Sequence, residues 1–128
     1  MFNFNKSINI DYNNYKYINK FREKSLEERI NTSNIIKLKY KNRLPVIVDS
    51  NNNLELEKHK YIVPKDLSIT QFIYIIRKKL NVDPTQSIYL MCNNKLISSS
   101  YSINFVYDEE VSNDGFLYFI ISLENTFG

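Results

Sequence analysis

The chain has 128 residues, 43% of them apolar, and a net charge of +3. That length suits one domain with one real core, and no apolar run approaches a membrane span. A single cysteine, Cys92, excludes an internal disulfide and fits a reducing compartment, and two glycines exclude a glycine-rich phosphate loop.

The charge is unevenly placed. Residues 1–65 carry 13 Lys/Arg against 7 Asp/Glu, a balance of +6, and residues 66–128 carry 4 against 7, a balance of −3. A basic first half suits an acidic partner or an anionic surface. Nucleic acid fits less well, because the cations are interleaved with acids.

Residues 1–15 are asparagine-rich and read as a flexible extension without a signal peptide. Tyr17 to Lys24 is predicted as a short helix. Ser25-Leu26-Glu27-Glu28 has the form of a capping box. It opens a second helix with an approximate apolar stripe of Leu26, Ile30, Ile36 and Tyr40, which Asn31 to Asn34 weakens.

Leu44 to Val48 reads as a first strand, with Pro45 where one N–H need not be paired and an apolar run that implies burial on both faces. Asp49 to Asn53 is a polar turn, and Leu54 to Lys60 leads into a second strand, Lys58 to Pro64. Cations at its start, large apolar groups along it and a closing proline suit an edge that accepts a partner peptide, with the next helix beside it. Ser68 with Gln71 caps that helix. Ile69, Phe72, Ile73, Ile76 and Leu80 share one of its faces, Arg77 to Lys79 occupy its last turn, and Asn81 and Pro84 end it.

Ser87 to Cys92 and Lys95 to Ile97 are two further strands around an Asn93-Asn94 turn. Ile103 to Tyr107 is one or two helical turns, Asp108 to Asp114 an acidic loop closed by Gly115, and Phe116 to Ser122 the last strand. Two strands, a helix, two strands and a final apolar strand are the order of a β-grasp, an α+β fold. The first and last strands are expected side by side in its middle. The expected layout is an extension at 1–15, a helical subdomain at 16–43, the β-grasp at 44–122 and an exposed tail at 123–128.

Catalytic chemistry finds little support. His59 is the only histidine, which excludes a histidine metal cluster. A Cys92–His59 nucleophile pair competes with an inert core thiol, favoured because Cys92 lies in an apolar strand. Asp108-Glu109-Glu110 reads as a solvated acidic stretch sooner than a cation site. Gly128 is more informative: an extended tail ending in glycine threads a narrow channel and offers an unhindered carboxylate for adenylation and acyl transfer.

Lys39 to Asp49 (Lys-Tyr-Lys-Asn-Arg-Leu-Pro-Val-Ile-Val-Asp) resembles the helix-to-strand junction of GABARAP-type autophagy ubiquitin-like modifiers, of the microtubule-associated protein light chain family. So do Lys60 to Leu67, Gln71-Phe72, Ile76-Arg77-Lys78, Asn93-Asn94, Gly115 to Tyr118 and Phe127-Gly128; the likeness covers about Lys20 to Gly128. It implies a ubiquitin-like β-grasp with two extra N-terminal helices, and no catalysis or cofactor of its own.

The resemblance further implies that activating and conjugating enzymes carry Gly128 as a thioester and transfer it to the amine of phosphatidylethanolamine. A monomeric cytoplasmic protein would thereby be tethered to autophagosomal membranes, and a cysteine protease would process or delipidate it. Receptors bearing aromatic-x-x-aliphatic motifs preceded by acids would add as a strand along Lys60 to Val63. Ile36, Pro45, Lys60, Ile62 and Phe116 would line the aromatic pocket, and Tyr61, Val63, Pro64, Leu67, Phe72 and Ile75 the aliphatic one. Arg43, Lys58 and Lys60 would meet the acids. Core packing competes for each apolar residue, most evenly for Phe72. Thr32 and Lys41 depart from the family's usual acid and proline. The alternatives are a modifier conjugated to protein, disfavoured by Phe127 where tryptophan is usual, and an unconjugated adaptor in vesicle traffic.

Overall fold

A computed structural model of the chain describes residues 15–50 and 54–123. The extension before Tyr15, residues 51–53 of the predicted 49–53 turn and residues 124–128 of the tail, with Gly128, lie outside them, while Leu123, read as the start of the exposed tail, is instead the buried end of the last strand. Nine elements follow in order: α1 (Lys16–Phe21), α2 (Leu26–Lys39), β1 (Arg43–Ser50), β2 (Lys60–Pro64), α3 (Ile69–Arg77), β3 (Ile88–Cys92), β4 (Lys95–Leu96), α4 (Ile103–Glu110) and β5 (Leu117–Leu123).

The five strands form one sheet in the order β2-β1-β5-β3-β4. β1 and β5 run parallel at its centre and the other pairings are antiparallel. Both central strands are buried almost throughout, as their unbroken apolar runs require. Because successive strand side chains point to opposite faces, each central strand feeds two cores. Leu44, Val46 and Val48 join Phe119 and Ile121 beneath α3, whose Ile69, Phe72 and Ile76 are buried. Ile47 joins Phe116 and Tyr118 on the other face, under Ile18 and Phe21 of α1.

The local signals explain the boundaries. Ser68 and Gln71 close a reciprocal capping box at the start of α3. Ser25 caps α2 by accepting from the Glu28 N–H at 3.1 Å. Asn93 and Asn94 both take positive φ, 52° and 65°, as a two-residue hairpin turn demands. α1 has no side-chain cap of its own. Asp49 of β1 supplies it from a distance, accepting from the N–H groups of Tyr17 (3.0 Å) and Ile18 (3.1 Å).

Two further expectations are corrected. The apolar stripe assigned to α2 faces a core only in part: Ile36 is half-buried against the second core and Ile30 is half-buried, but Leu26 and Tyr40 are 42% and 37% exposed. The buried residues of α2 are Arg29 and Ser33, and they dock on Asp114, which is wholly buried. Arg29 Nη1 lies 2.7 Å from Asp114 Oδ2, Ser33 Oγ donates to the Asp114 carbonyl at 2.6 Å, and the Phe116 N–H donates to Asp114 Oδ1 at 2.9 Å. The Tyr118 hydroxyl is also bonded to Asp114 Oδ2. α2 is therefore fastened by a buried polar network, which an apolar pattern cannot announce.

The second correction concerns Asp108 to Asp114. Its first three residues continue α4, because Val106 and Tyr107 bury a helical face, and its last residue is the buried hub just described. Glu110 accepts from Asn93 Nδ2 (2.9 Å) and Lys95 Nζ (2.9 Å), which ties α4 to the β3–β4 turn. Gly115 follows at φ +87°, and a Cβ there would stand 2.3 Å from Ser33 Oγ, so glycine meets both a backbone and a space requirement.

Removing Asp114 takes the carboxylate away from a buried guanidinium and a buried hydroxyl. Asp114→Ala is expected to lower the free energy of unfolding by about 3 kcal/mol, measured by urea denaturation. A loss below about 0.5 kcal/mol would show that the network does not fasten α2.

Candidate functional site

β2 is five residues long and lies at the sheet's edge, so one flank of its backbone has no strand partner among the described residues. The register shows which groups face outward. Val48 N–H donates to the His59 carbonyl at 2.8 Å and Lys65 N–H to the Asn42 carbonyl at 2.9 Å. Antiparallel pairs alternate between bonded and non-bonded. Val46 opposite Tyr61 and Leu44 opposite Val63 are then the bonded pairs, and Lys60 and Ile62 direct their backbone groups away from β1. The Ile62 carbonyl accepts from Arg43 Nη1 at 3.1 Å, and its second lone pair leaves room for another donor.

The strand's pleat separates the residues assigned to the two pockets. Tyr61 and Val63 point beneath α3 and are buried in the main core. The Tyr61 ring meets Phe72 edge-on at 5.3 Å, and Phe72 is fully buried. Leu67 and Pro64 are half-buried, and Ile75 is exposed on α3. Lys60 and Ile62 point to the other face, opposite Ile47 and Pro45. There Phe116 is buried and Ile36 half-buried in the second core, Pro45 is buried and Ile62 half-buried. Lys58, Lys60 and Arg43 are exposed. The assigned residues thus divide between the two faces of the sheet, with Tyr61, Val63, Phe72, Pro45 and Phe116 beneath the surface and the others at or near it.

A neighbouring feature was not predicted. An open cavity of about 430 Å³ is lined by Tyr17, Lys20, Phe21, Glu23, Lys24 and Lys60. Lys24 and Lys60 place their ammonium groups 5.7 and 5.4 Å from the centre of the Phe21 ring, within cation–π range. Together with Lys58, whose Nζ lies 4.8 Å from the Tyr61 ring, they make the start of β2 strongly cationic. The available signal was Lys16, Lys20 and Lys24 at intervals of four around Phe21.

The residues weighed for catalysis are placed otherwise. His59 is half-buried, with Nδ1 2.8 Å from the Val48 carbonyl and its ring stacked on Tyr17 at 4.1 Å. Burial, then the Asp49 charge, raises the Tyr17 pKa above its usual value. Cys92 is buried on β3, two strands beyond β1, a separation of roughly 10 Å or more from the β2 side. Burial first, then Glu110, pushes its thiol up to about 12, against the smaller opposing effect of Lys95. It stays a protonated core residue at neutral pH. No group of acids, histidine and cysteine among the described residues is placed to hold a metal ion.

This arrangement has known counterparts. Residues 28–128 match the family model described as autophagy protein Atg8, ubiquitin like. Autophagy-related protein 8A of Oryza sativa subsp. indica is 40% identical over 109 residues, covering 83% of this chain and 92% of that protein. Autophagy-related protein 8 of Schizosaccharomyces pombe is 40% identical over 107 residues, covering 81% and 88%. The crystal structure of Trypanosoma brucei ATG8 superposes with a TM-score of 0.77 at 27% identity, over 82% of this chain and 94% of that one. The chain belongs to the Atg8 family of ubiquitin-like autophagy proteins, which are modifiers and not enzymes.

Proposed function

We propose that this protein is conjugated through Gly128 to phosphatidylethanolamine on autophagosomal membranes, and that it recruits cargo receptors there by taking an aromatic-x-x-aliphatic peptide onto β2. The observation that carries the peptide reading is the outward-facing backbone of Lys60 and Ile62, flanked by half-buried apolar residues on both faces of the sheet and by cations at the strand's start. Family membership and the family-like end of the sequence, Phe127-Gly128, support the conjugation. The likeness of Lys39 to Asp49 to the GABARAP-type junction supports that branch of the family.

The energetics assign separate tasks to the parts of such a site. A backbone hydrogen bond contributes about 1 kcal/mol net, whereas burying one large apolar side chain contributes roughly 2 kcal/mol. The two peptide anchors would therefore set affinity, and the Lys60 and Ile62 backbone would set register. Ile36, Pro45, Ile62 and Phe116 are the surroundings proposed for the aromatic anchor, with Lys60 above them. Tyr61, Val63, Pro64, Leu67, Phe72 and Ile75 are those proposed for the aliphatic one. Of these, Ile62, Leu67 and Ile75 would contact peptide directly, and Phe72 would act by holding Tyr61. Lys58, Lys60 and Arg43 would attract acids ahead of the motif, mainly through the rate of association.

Flotation with liposomes containing phosphatidylethanolamine tests the conjugation, after incubation with the activating and conjugating enzymes and ATP. The expected result is flotation of the wild type and none of a Gly128 deletion. A soluble protein adduct in place of flotation would overturn the lipid target, and no adduct of either kind would overturn conjugation itself.

A further inference from the structure

The edge of β2 has an occupant of matching pattern within the chain itself. Residues 2–12 (Phe-Asn-Phe-Asn-Lys-Ser-Ile-Asn-Ile-Asp-Tyr) alternate strictly. Phe2, Phe4, Ile8, Ile10 and Tyr12 stand at even positions, interrupted only by Lys6, and every odd position is polar. The asparagine content suggests a linker, but alternation of period two is the pattern of a strand with one apolar face. These residues lie outside the described part of the chain, which begins at Tyr15.

That beginning stands beside β2. Tyr15 has extended backbone, with φ −114° and ψ 93°. Two residues on, the Tyr17 ring stacks on His59 at 4.1 Å, and Tyr17 lines one cavity with Lys60. Asp49 fixes this end of α1 by accepting from the N–H groups of Tyr17 and Ile18. Asn13-Asn14 is turn chemistry. A turn there would send the preceding segment along β2 from its Lys60 end towards Pro64, antiparallel to it. β2 is five residues long, about 17 Å, and residues 2–12 are enough to cover it twice.

The free backbone groups choose the register. The backbone of Lys60 and Ile62 faces away from β1, and in an antiparallel pair such residues exchange both bonds with the residue opposite. Tyr12 opposite Lys60, Ile10 opposite Ile62 and Ile8 opposite Pro64 would put the apolar side of the segment on the face where Ile62 is half-buried and Pro45 lies across from it. Asp11, the only acid before Glu23, would fall opposite Tyr61, whose ring has Lys58 Nζ 4.8 Å from its centre. A slip of one residue would turn the asparagines onto the apolar face. Pro64 has no N–H to add, which ends the pairing at Ile8.

We propose that residues 8–12 add to β2 as an antiparallel strand, so that the protein's own N-terminal segment covers the edge and a receptor peptide binds by displacing it. The displacement rests on the peptide reading given above; the strand pairing does not.

Amide exchange and fluorescence anisotropy on the full chain separate the two. Ile8→Ser with Ile10→Ser removes the apolar side of the segment and changes none of the described residues. A segment that covers the edge about four-fifths of the time lowers apparent peptide affinity about fivefold. Without peptide, the Lys60 and Ile62 amides are then expected to exchange about fivefold faster in the double variant, and those of Tyr61 and Val63 equally in both proteins. The variant is expected to bind a peptide of acids followed by an aromatic-x-x-aliphatic motif about fivefold more tightly. Equal exchange at Lys60 and Ile62 would overturn the pairing, whatever the peptide does. Faster exchange with equal peptide affinity would overturn the displacement. Faster exchange with no peptide bound by either protein would uphold the pairing and sink the peptide reading instead. A dimer in sedimentation velocity that the double variant abolishes, with protection of Lys60 and Ile62 that fades on dilution, would overturn the proposal, because the segment of a second copy would then be the occupant.

Discussion

Val46 lies beside Leu117 and Ser50 beside Ile121 in the parallel pairing of β1 with β5, and both strands are buried on both faces. Two strands that must be covered above and below can only sit at the centre of a sheet with helices on either side. Among the described residues β2 pairs with β1 and with no other strand, and β3 with β4 completes the opposite flank. The edge position of β2 is thus a consequence of where the most apolar segments go. The same burial gives the protein two cores instead of one, and the β2 edge runs between them.

The second core is small, and polar contacts add to the apolar ones that dock its helices. α1 borrows its cap from Asp49, and α2 is fastened through Arg29 and Ser33 to Asp114. A buried ion pair of this kind contributes less to stability than to geometry, since its desolvation offsets much of its attraction. It specifies the position of α2, and with it the position of Ile36 against the second core. The wall of the region proposed for an aromatic anchor therefore depends on a carboxylate 50 residues beyond the end of β2 in sequence (Pro64 to Asp114). Gly115 belongs to the same arrangement, for only glycine lets the turn approach Ser33 so closely.

Much of this was legible in the sequence, for identifiable reasons. The capping box at Ser68, the period of Ile69, Phe72 and Ile76, the Asn93-Asn94 turn and the apolar runs of β1 and β5 are local signals, and each stands in the structure where it was read. The residues assigned around β2 came from family likeness, while strand alternation separated its two sides. What was not legible is long-range and polar. Nothing near Arg29 marks it as a partner of Asp114, 85 residues away, and Asp114 sits in a stretch whose composition suggests a solvated loop. Leu26 and Tyr40 misled because an amphipathic reading assumes that the apolar residues of a helix face inward. The α1 cavity was missed because its lining converges from a short helix and a distant strand.

The central claim is that β2 presents the backbone of Lys60 and Ile62 for strand addition. Residue-resolved amide exchange tests it most directly, with and without a peptide that carries acids followed by an aromatic-x-x-aliphatic motif. The amides of Lys60 and Ile62 are predicted to slow by about tenfold when the protein is roughly nine-tenths occupied. Those of Tyr61 and Val63, which already face β1, should change little. Bound peptide with Lys60 and Ile62 exchanging as fast as in the free protein would contradict the account, because the peptide would then be held somewhere other than the edge.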